Sequence, residues 1–453
     1  MRFNKSNLKM NTLPKWCGSV LICLLLVTSG DVLNKIAAEV SDSAPRYSEV
    51  KVERPGAMRL ANRVKLAQVD DITMLQYYEK ASGKQVLYFT DGTSSSHVTL
   101  PEFGGIQSDR SDFRGSRFDQ VEHVLPSLQE VWIFSEAPTK KMDVRLGYMS
   151  PVMISHYALS GSPLPTSAAL LSSKTFGDDH SRTGAFTSLK SGGMIASWYQ
   201  SYVVNPHEDR REEIGIVYRD PQGQWSTVFP IAIDGSAGGG IPQSRQALVQ
   251  HPADDGIWLF NKRDSYHSME VVHLLETDSG IVVDWIDPLF INEREHGTES
   301  LEAEFPAIVA IADPMRKVII LAFGDNGYYM TNCEGTCFQK VTPVTVMEIT
   351  ANGNQRFETY SPFTIERTTR FGMALAGTKL WFVYKPLQLL SKLSPSLEAI
   401  SYDMATGLWS PSASLGEPFR ASRELSAVFG TDPLVFAHLM VDQKIHYFSI
   451  EDD

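Results

Sequence analysis

The sequence predicts an all-β fold, a β-propeller of seven blades with four antiparallel strands each, and three observations predict it. A strand-turn-strand pattern recurs about every sixty residues, further short strands fill the intervals, and no amphipathic helix of three or more turns interrupts them. A four-stranded sheet of this kind has two apolar faces and cannot bury both alone. Stacking the sheets around a ring buries both, and closing the ring leaves no end sheet exposed. A β-sandwich with long loops does not explain the spacing. A six-bladed ring with a separate N-terminal element is the nearest competitor.

The elements follow in order. Arg2, Lys5, Lys9 and Lys15, with no acids among them, precede the apolar run "CGSVLICLLLVTSG", which ends in small residues. That is the chemistry of a secretory signal, and the run is short for a membrane span. Residues 1–30 are therefore read as a signal peptide, 31–57 as a Pro- and Ser-containing leader, and 58–453 as the propeller. The repeating hairpin begins at Leu66 (faintly), Val121, Gly184, Arg245, Phe305, Phe371 and Leu434, with separations of 55, 63, 61, 60, 66 and 63 residues. Third strands follow in "EIGIVYRD", "MEVVHLL", "NGYYMTN" and "LEAISYDM", and fourth strands in "PQGQWSTVFPI", "DSGIVVDWIDPLF" and "ATGLWSPSASL". Only Pro386 to Glu398 has the pattern of a short helix, as an insertion.

Charge and cysteine usage bound the function. Four of the 41 basic residues lie in the signal and none of the 53 acids does, so 37 bases remain, a balance of −16. An exported protein this acidic lacks the basic footprint of a nucleic-acid binder. A secreted or periplasmic monomer, free of the membrane once its signal is removed, is expected. Cys17 and Cys23 leave with the signal, so Cys333 and Cys337 remain. In "TNCEGTCFQK" a three-residue spacer with Gly suits a tight turn, and in an oxidising compartment the pair reads as a local disulfide. A metal site needs two more ligands that no nearby His supplies, so no metal is expected, and no motif names a cofactor.

One hairpin concentrates chemistry at its open end. "DDHSRTGAFTSLKSGGMIASWYQ", Asp178 to Gln200, brings His180 and Arg182 to the start of an inner strand and Tyr199 to the end of the next. The stretch resembles the Asp-His-rich entry and Tyr-ended hairpin of BNR-repeat, sialidase-like propellers, nearest the branch that includes polysaccharide lyases. That resemblance implies a carbohydrate-active propeller. The family's Asp box, Ser-x-Asp-x-Gly-x-Thr-Trp, occurs here in altered form: "YRDPQGQW" has its Gly one place late and "YDMATGLW" two.

The equivalent position around the ring adds Arg245, Glu304 and Arg370, with Arg423 before the last blade. The loops after second strands add Tyr202, His207, Arg210, Arg211, Tyr266, His267 and Lys385. Several Arg on an otherwise acidic protein suit a bidentately held carboxylate, as on uronic or sialic acid, so an acidic polysaccharide or oligosaccharide is the expected partner. A lyase needs a cation against the uronate carboxylate, a base for the adjacent proton and an acid for the leaving oxygen. His180, Tyr199, Tyr266 and His267 are the candidate catalytic groups, and Arg182, Arg245, Arg370 and Glu304 the candidate substrate-binding groups. A sialidase-like hydrolase would use the Arg residues with a Tyr nucleophile and Glu304 instead. A non-catalytic glycan- or protein-binding propeller uses the same rim. Strand alternation leaves Tyr199 a second orientation, between blades with Trp198 on the other side.

Overall fold

The computed structural model describes residues 46–52, 65–79, 84–101, 122–136, 151–177, 181–203, 210–233, 246–263, 268–292, 308–324, 328–333, 337–366, 371–384, 397–415, 427–429, 434–439 and 445–451, and among them there is no helix. The chain divides into two compact units, residues 1–46 with 453 and residues 47–452. Of the first unit only Arg46 is described.

Among the described residues, thirty strands form seven sheets. The first, β1 (Arg46–Val52), is set aside until the ring closes. Sheet I holds β2 (Lys65–Val69), β3 (Ile72–Glu79), β4 (Lys84–Thr90) and β5 (Ser95–Thr99). Sheet II holds β6 (Glu122–Ser127), β7 (Glu130–Glu136), β8 (Val152–Ser160) and β9 (Ser167–Phe176). Sheet III holds β10 (Ser181–Ser188), β11 (Met194–Val203), β12 (Arg210–Arg219) and β13 (Phe229–Ile233). Sheet IV holds β14 (Gln246–Gln250), β15 (Ile257–Arg263), β16 (Ser268–Thr277) and β17 (Gly280–Asn292). Sheet V holds β18 (Ile308–Asp313), β19 (Val318–Gly324), β20 (Tyr328–Cys333), β21 (Cys337–Ile349) and β22 (Gln355–Glu366). Sheet VI holds β23 (Gly372–Ala376), β24 (Lys379–Tyr384), β25 (Leu397–Asp403), β26 (Leu408–Trp409) and β27 (Ala413–Leu415). Sheet VII runs in the order β1, β30 (Ile445–Glu451), β29 (Leu434–Leu439), β28 (Ala427–Phe429).

Each sheet's first strand packs beside the next sheet's first strand. The contacts run from β2 to β6, β10, β14, β18, β23 and β28, and return from β28 to β2. This is a closed ring, the propeller that the period predicts. Six first strands begin within three residues of the expected starts.

Two elements differ from expectation. In the last sheet the inner strand is the triplet Ala427–Phe429, and the hairpin beginning at Leu434 supplies the second and third strands. Three apolar residues before Gly430 are too short to register as a strand in the sequence. The fourth place is taken by β1, which lies inside the stretch read as a leader. In sheet V, "NGYYMTN" is not the third strand; that place belongs to β21, which pairs with β19. The short helix expected over 386–398 falls outside the described residues, except Leu397 and Glu398, which open β25.

Strand alternation fills the gaps between sheets. Along β11, Met194, Ala196 and Trp198 pack with Trp132, Phe134 and Ile154 of sheet II, whereas Ile195 and Tyr199 pack with Ile257, Leu259 and Val272 of sheet IV. The same division recurs along β19: Ile319, Leu321 and Phe323 meet sheet IV, and Val318, Ile320 and Ala322 meet sheet VI. Trp198, Trp258, Phe134, Phe260, Phe323 and Phe382 are fully buried, each worth about 1.5–3 kcal/mol by area removed from water. Gly215 is required by this packing, because a Cβ there would stand 2.3 Å from the Trp198 ring.

Both altered Asp-box segments form capped turns between the third and fourth strands. Asp220 Oδ1 accepts the Gln224 N–H at 2.7 Å, and Trp225 folds back onto Phe176 and Trp132 of sheet II. Asp403 Oδ1 accepts the Ala405 N–H at 2.9 Å and Oδ2 the Thr406 hydroxyl at 3.0 Å, while Trp409 packs on Phe382 and Tyr402. Those donors, the Ala405 amide foremost, hold the Asp403 carboxyl below the usual carboxylate range. The displaced Gly alters the turn length without removing either the cap or the Trp anchor.

A charged cluster joins sheets V and VI. Arg316, in the turn after β18, bonds Glu348 and also reaches Glu358 at 3.5 Å, while its Nη1 lies 2.9 Å from Met404 Sδ. Arg356 Nε approaches Glu358 at 3.5 Å. Burial, then the hydrogen bond with Glu348, raises the Glu358 carboxyl above its ordinary 4.5, against the opposing pull of Arg316 and Arg356. The folded protein therefore holds this proton more tightly than the unfolded chain does. Its contribution is complete below the ordinary value and is lost as pH rises through the raised one. Glu358→Gln, which keeps the protonated shape, is expected to unfold a few degrees above the parent at neutral pH, with the difference vanishing in acid. Thermal melts across pH measure this, and a variant less stable at neutral pH contradicts it.

Candidate functional site

The predicted rim is the end of the ring at which β10 and β14 begin and β11 and β15 finish. Antiparallel pairing sets Ser181 opposite Gln200 and Arg182 opposite Tyr199. On the neighbouring pair, Tyr202 stands opposite Arg211 and Val203 opposite Arg210. Thus Arg182, Tyr202, Arg210 and Arg211 occupy backbone positions at one end of sheet III. His180, His207, Arg245, Tyr266, His267, Glu304, Arg370, Lys385 and Arg423 lie outside the described residues.

Tyr199 takes the second orientation that alternation offers. Only 3% exposed, it belongs to the core between sheets III and IV, with Ile195 and Ile214 behind it and Leu259 in front. Its partner across the strand pleat, Trp198, is fully buried on the side of sheet II. The ring is thus a packing group and not an open rim acid or base. The period-2 geometry of a strand buried on both faces is the reason.

The sequence reading missed a polar row beneath this end, buried except at the half-buried Gln246. Gln246, the first residue of β14, accepts the Ser197 hydroxyl on Oε1 at 2.8 Å and donates from Nε2 to Asn261 Oδ1 at 3.2 Å. Asn261 is the cross-strand partner of Glu270, and both are 2% exposed. One row of amide, amide and carboxylate therefore crosses sheet IV and is tied to sheet III through Ser197. β10 makes room for it with a bulge between Thr183 and Ala185. At Gly184 a Cβ would lie 1.7 Å from Gln246 Oε1 and 2.8 Å from the Ser197 carbonyl. No single motif marks this row; the signal available was three polar residues at inward positions of otherwise apolar strands.

On sheet VI the corresponding end carries a second polar pair. The Tyr384 hydroxyl donates to Glu398 Oε2 at 2.6 Å, and burial together with that carboxylate holds the phenol well above its usual range. A tyrosine in this state is a donor and not a base.

The opposite end of the ring has a different character. A cleft of about 690 Å³ opens between sheets III and IV, walled by the turns 220–226, 254–255 and 275–280 with Ser191 and Tyr218. Five of its lining residues are Asp220, Asp254, Asp255, Glu276 and Asp278, and none is Lys, Arg or His. Glu276 accepts from Ser191 at 2.7 Å and from the Tyr218 hydroxyl, and burial with Glu276 keeps that phenol protonated. Lys190, at the edge, is engaged by Asp255 and by the His251 and Pro252 carbonyls at 3.4 and 3.3 Å. The five carboxylates of this lining disfavour a polyanion.

No protein-family model matches the chain, and no curated protein sequence does. Among solved structures it is similar to the acylaminoacyl peptidase of Pyrococcus horikoshii, at 8% identity and a TM-score of 0.42, over 86% of this chain and 51% of that one. It is similar to the sialidase of Trypanosoma rangeli in complex with sialic acid, at 12% identity and 0.38, over 76% and 57%. A third is the α-L-arabinofuranosidase of Fusarium graminearum, at 12% identity and 0.40, over 74% and 92%. The chain spans little more than half the length of the first two. Likeness at this level assigns no activity to it.

The polar row gives its own test. Gly184→Ala drives a methyl group into the Gln246 amide and is expected to cost about 1–3 kcal/mol, as overpacking of a filled interior does. Denaturant unfolding measures it, and a variant as stable as the parent contradicts the close approach.

Proposed function

We propose that this propeller is carbohydrate-active and that its site is the end of the ring at which β10 and β14 begin. The observation that carries the reading is the Gln246 side chain, which ties β14 and β15 of one sheet to β11 of the next at that end. His180 and Arg182 adjoin the first residue of β10, and Arg245 adjoins Gln246 in the chain. Tyr266 and His267 belong to the short connection from β15 to β16. A rigid scaffold beneath such connections is what a site built from loops requires.

The reaction that suits these groups is β-elimination on a uronic-acid glycan. Arg245, with Arg182, takes the uronate carboxylate and stabilises the enolate-like charge that develops when the adjacent carbon loses its proton. His180 accepts that proton. The bond from the neighbouring carbon to the glycosidic oxygen breaks, its electron pair stays on the oxygen, and Tyr266 or His267 supplies the proton there. A carbon–carbon double bond forms and no water is consumed. Tyr199, whose ring lies in the core, is given no step. The acidic cleft at the other end supports the assignment by contrast, since an anionic chain is repelled there.

The same reading takes the protein out of the cytoplasm and joins Cys333 to Cys337. These two are direct cross-strand partners, and opposed Cα atoms in an antiparallel ladder fall inside the span a disulfide bridges.

The test is incubation of the intact protein with a panel of uronic-acid polysaccharides, following the ultraviolet absorbance of the unsaturated product. His180→Ala should abolish turnover with folding unchanged, and Arg245→Ala should lose about 2–4 kcal/mol of transition-state stabilisation. Absence of the chromophore with every polyuronate, or full activity in both variants, rejects the elimination.

A further inference from the structure

The acidic cleft continues along the outer margin of sheet IV as an apolar edge. The turn 275–280 that walls the cleft leads directly into β17, the last strand of its sheet. Among the described residues, no strand pairs with the far edge of β17. Val282, Val283 and Ile286 are 42%, 40% and 43% exposed, while Val271, Val272 and Leu274 of the adjoining β16 are fully buried. Cross-strand pairing fixes their sides, because partners in register share a face. Ile281, Val283 and Ile286 stand opposite Glu276, Leu274 and Val272, and so lie on the side turned to sheet III. Leu274 and Val272 belong to the core shared with that sheet, and Ile281 packs at its margin together with Phe229 of β13. β13 is in turn the last strand of sheet III. The margin between the two outer strands is therefore apolar, and one end of it opens into the five carboxylates of the cleft.

An exposed apolar strand edge is a template for a further strand, and folded proteins guard such edges with charge, proline or a bulge. β17 has a bulge between Val283 and Trp285, but the charge it carries is turned back onto its own sheet. The Asp284 carboxylate lies 2.9 Å from His273 Nδ1. Nearer Asn292 the strand is covered: Phe290 is buried, and its carbonyl accepts from Gln355 Nε2 at 3.0 Å. The open stretch is therefore 280–286, about 20 Å at the rise of a strand.

Charge selects the occupant. A second copy seated about a two-fold axis sets the same carboxylates against one another, which is costly. A cationic extended chain meets no such repulsion. Its backbone continues the sheet, its apolar side chains cover Val283 and Ile286, and its Lys or Arg side chains enter the cleft. We infer that the outer edge of β17, together with the acidic cleft, docks a basic extended segment of a partner protein by strand addition. This surface belongs to the end of the ring opposite the glycan site proposed above and does not depend on that reading.

Fluorescence anisotropy of a labelled peptide of alternating Lys and Val, added to the full chain, is the experiment, with a Glu-Val peptide and spermine as controls. The Lys-Val peptide should bind, more weakly as salt rises, and the Glu-Val peptide should not. Glu276→Gln/Asp278→Asn, which keeps the shape of both side chains, should weaken binding about tenfold. Val283→Thr/Ile286→Thr, which keeps β-branching on the strand, should weaken it about fivefold. Hydrogen exchange of the bound parent should slow at residues 280–286. Thermal melts identify any variant that has not folded, and exchange in the parent then decides the matter. A Lys-Val peptide that does not bind, spermine bound as tightly as the peptide, or binding without slowed exchange at 280–286 overturns the docking edge. Protection of 280–286 that rises with protein concentration alone makes the occupant a second copy and overturns it as well.

Discussion

Sheets I to VI bury apolar side chains on both faces, and the structure depends on giving each face a neighbour. A row of such sheets would always end in two bare faces. The ring removes them, but only if the last sheet is complete enough to cover its neighbours on both sides. Sheet VII meets that need with strands from both ends of the described chain: β28, β29 and β30 from one end and β1 from the other. The inner strand of that sheet is only three residues long, yet it packs beside both β23 and β2. The whole circle of inter-sheet cores, from Trp132 and Trp198 round to Phe371 and Phe382, rests on that closure.

Closure also creates two unlike ends. At one, the turns between strands collect carboxylates around the cleft of sheets III and IV, and Asp220 and Asp403 cap the turns that carry the Trp anchors. At the other, Arg182, Arg210 and Arg211 occupy strand ends together with Glu212 and Glu213, over a row of the buried Ser197, Asn261 and Glu270 and the half-buried Gln246.

Much of the fold was legible because the pattern that builds it is periodic. Six inner strands announced themselves through apolar runs followed by a turn and an aromatic-ended partner. The seventh did not, because Ala427–Phe429 is too brief to show alternation, and the strand at the far edge of its sheet, β1, lies almost four hundred residues before its partner β30. Sheet V misled for another reason: "NGYYMTN" has every local property of a third strand, and only long-range pairing makes it the continuation of the second. Of the site, the sequence offered the polar rim but not its support. Gln246, Asn261 and Glu270 look like ordinary strand residues until three strands align them, and Tyr199 looked chemical until alternation turned it inward.

Closure by β1 is the claim on which the rest stands, and hydrogen exchange tests it most directly. One edge of β30 pairs with β29 and the other with β1, so alternate amides of residues 445–451 depend on each. In a chain that begins at residue 53, the amides facing β1 should exchange freely, and the protein should melt well below a chain that begins at residue 31. Equal protection of residues 445–451 in the two chains would contradict the account.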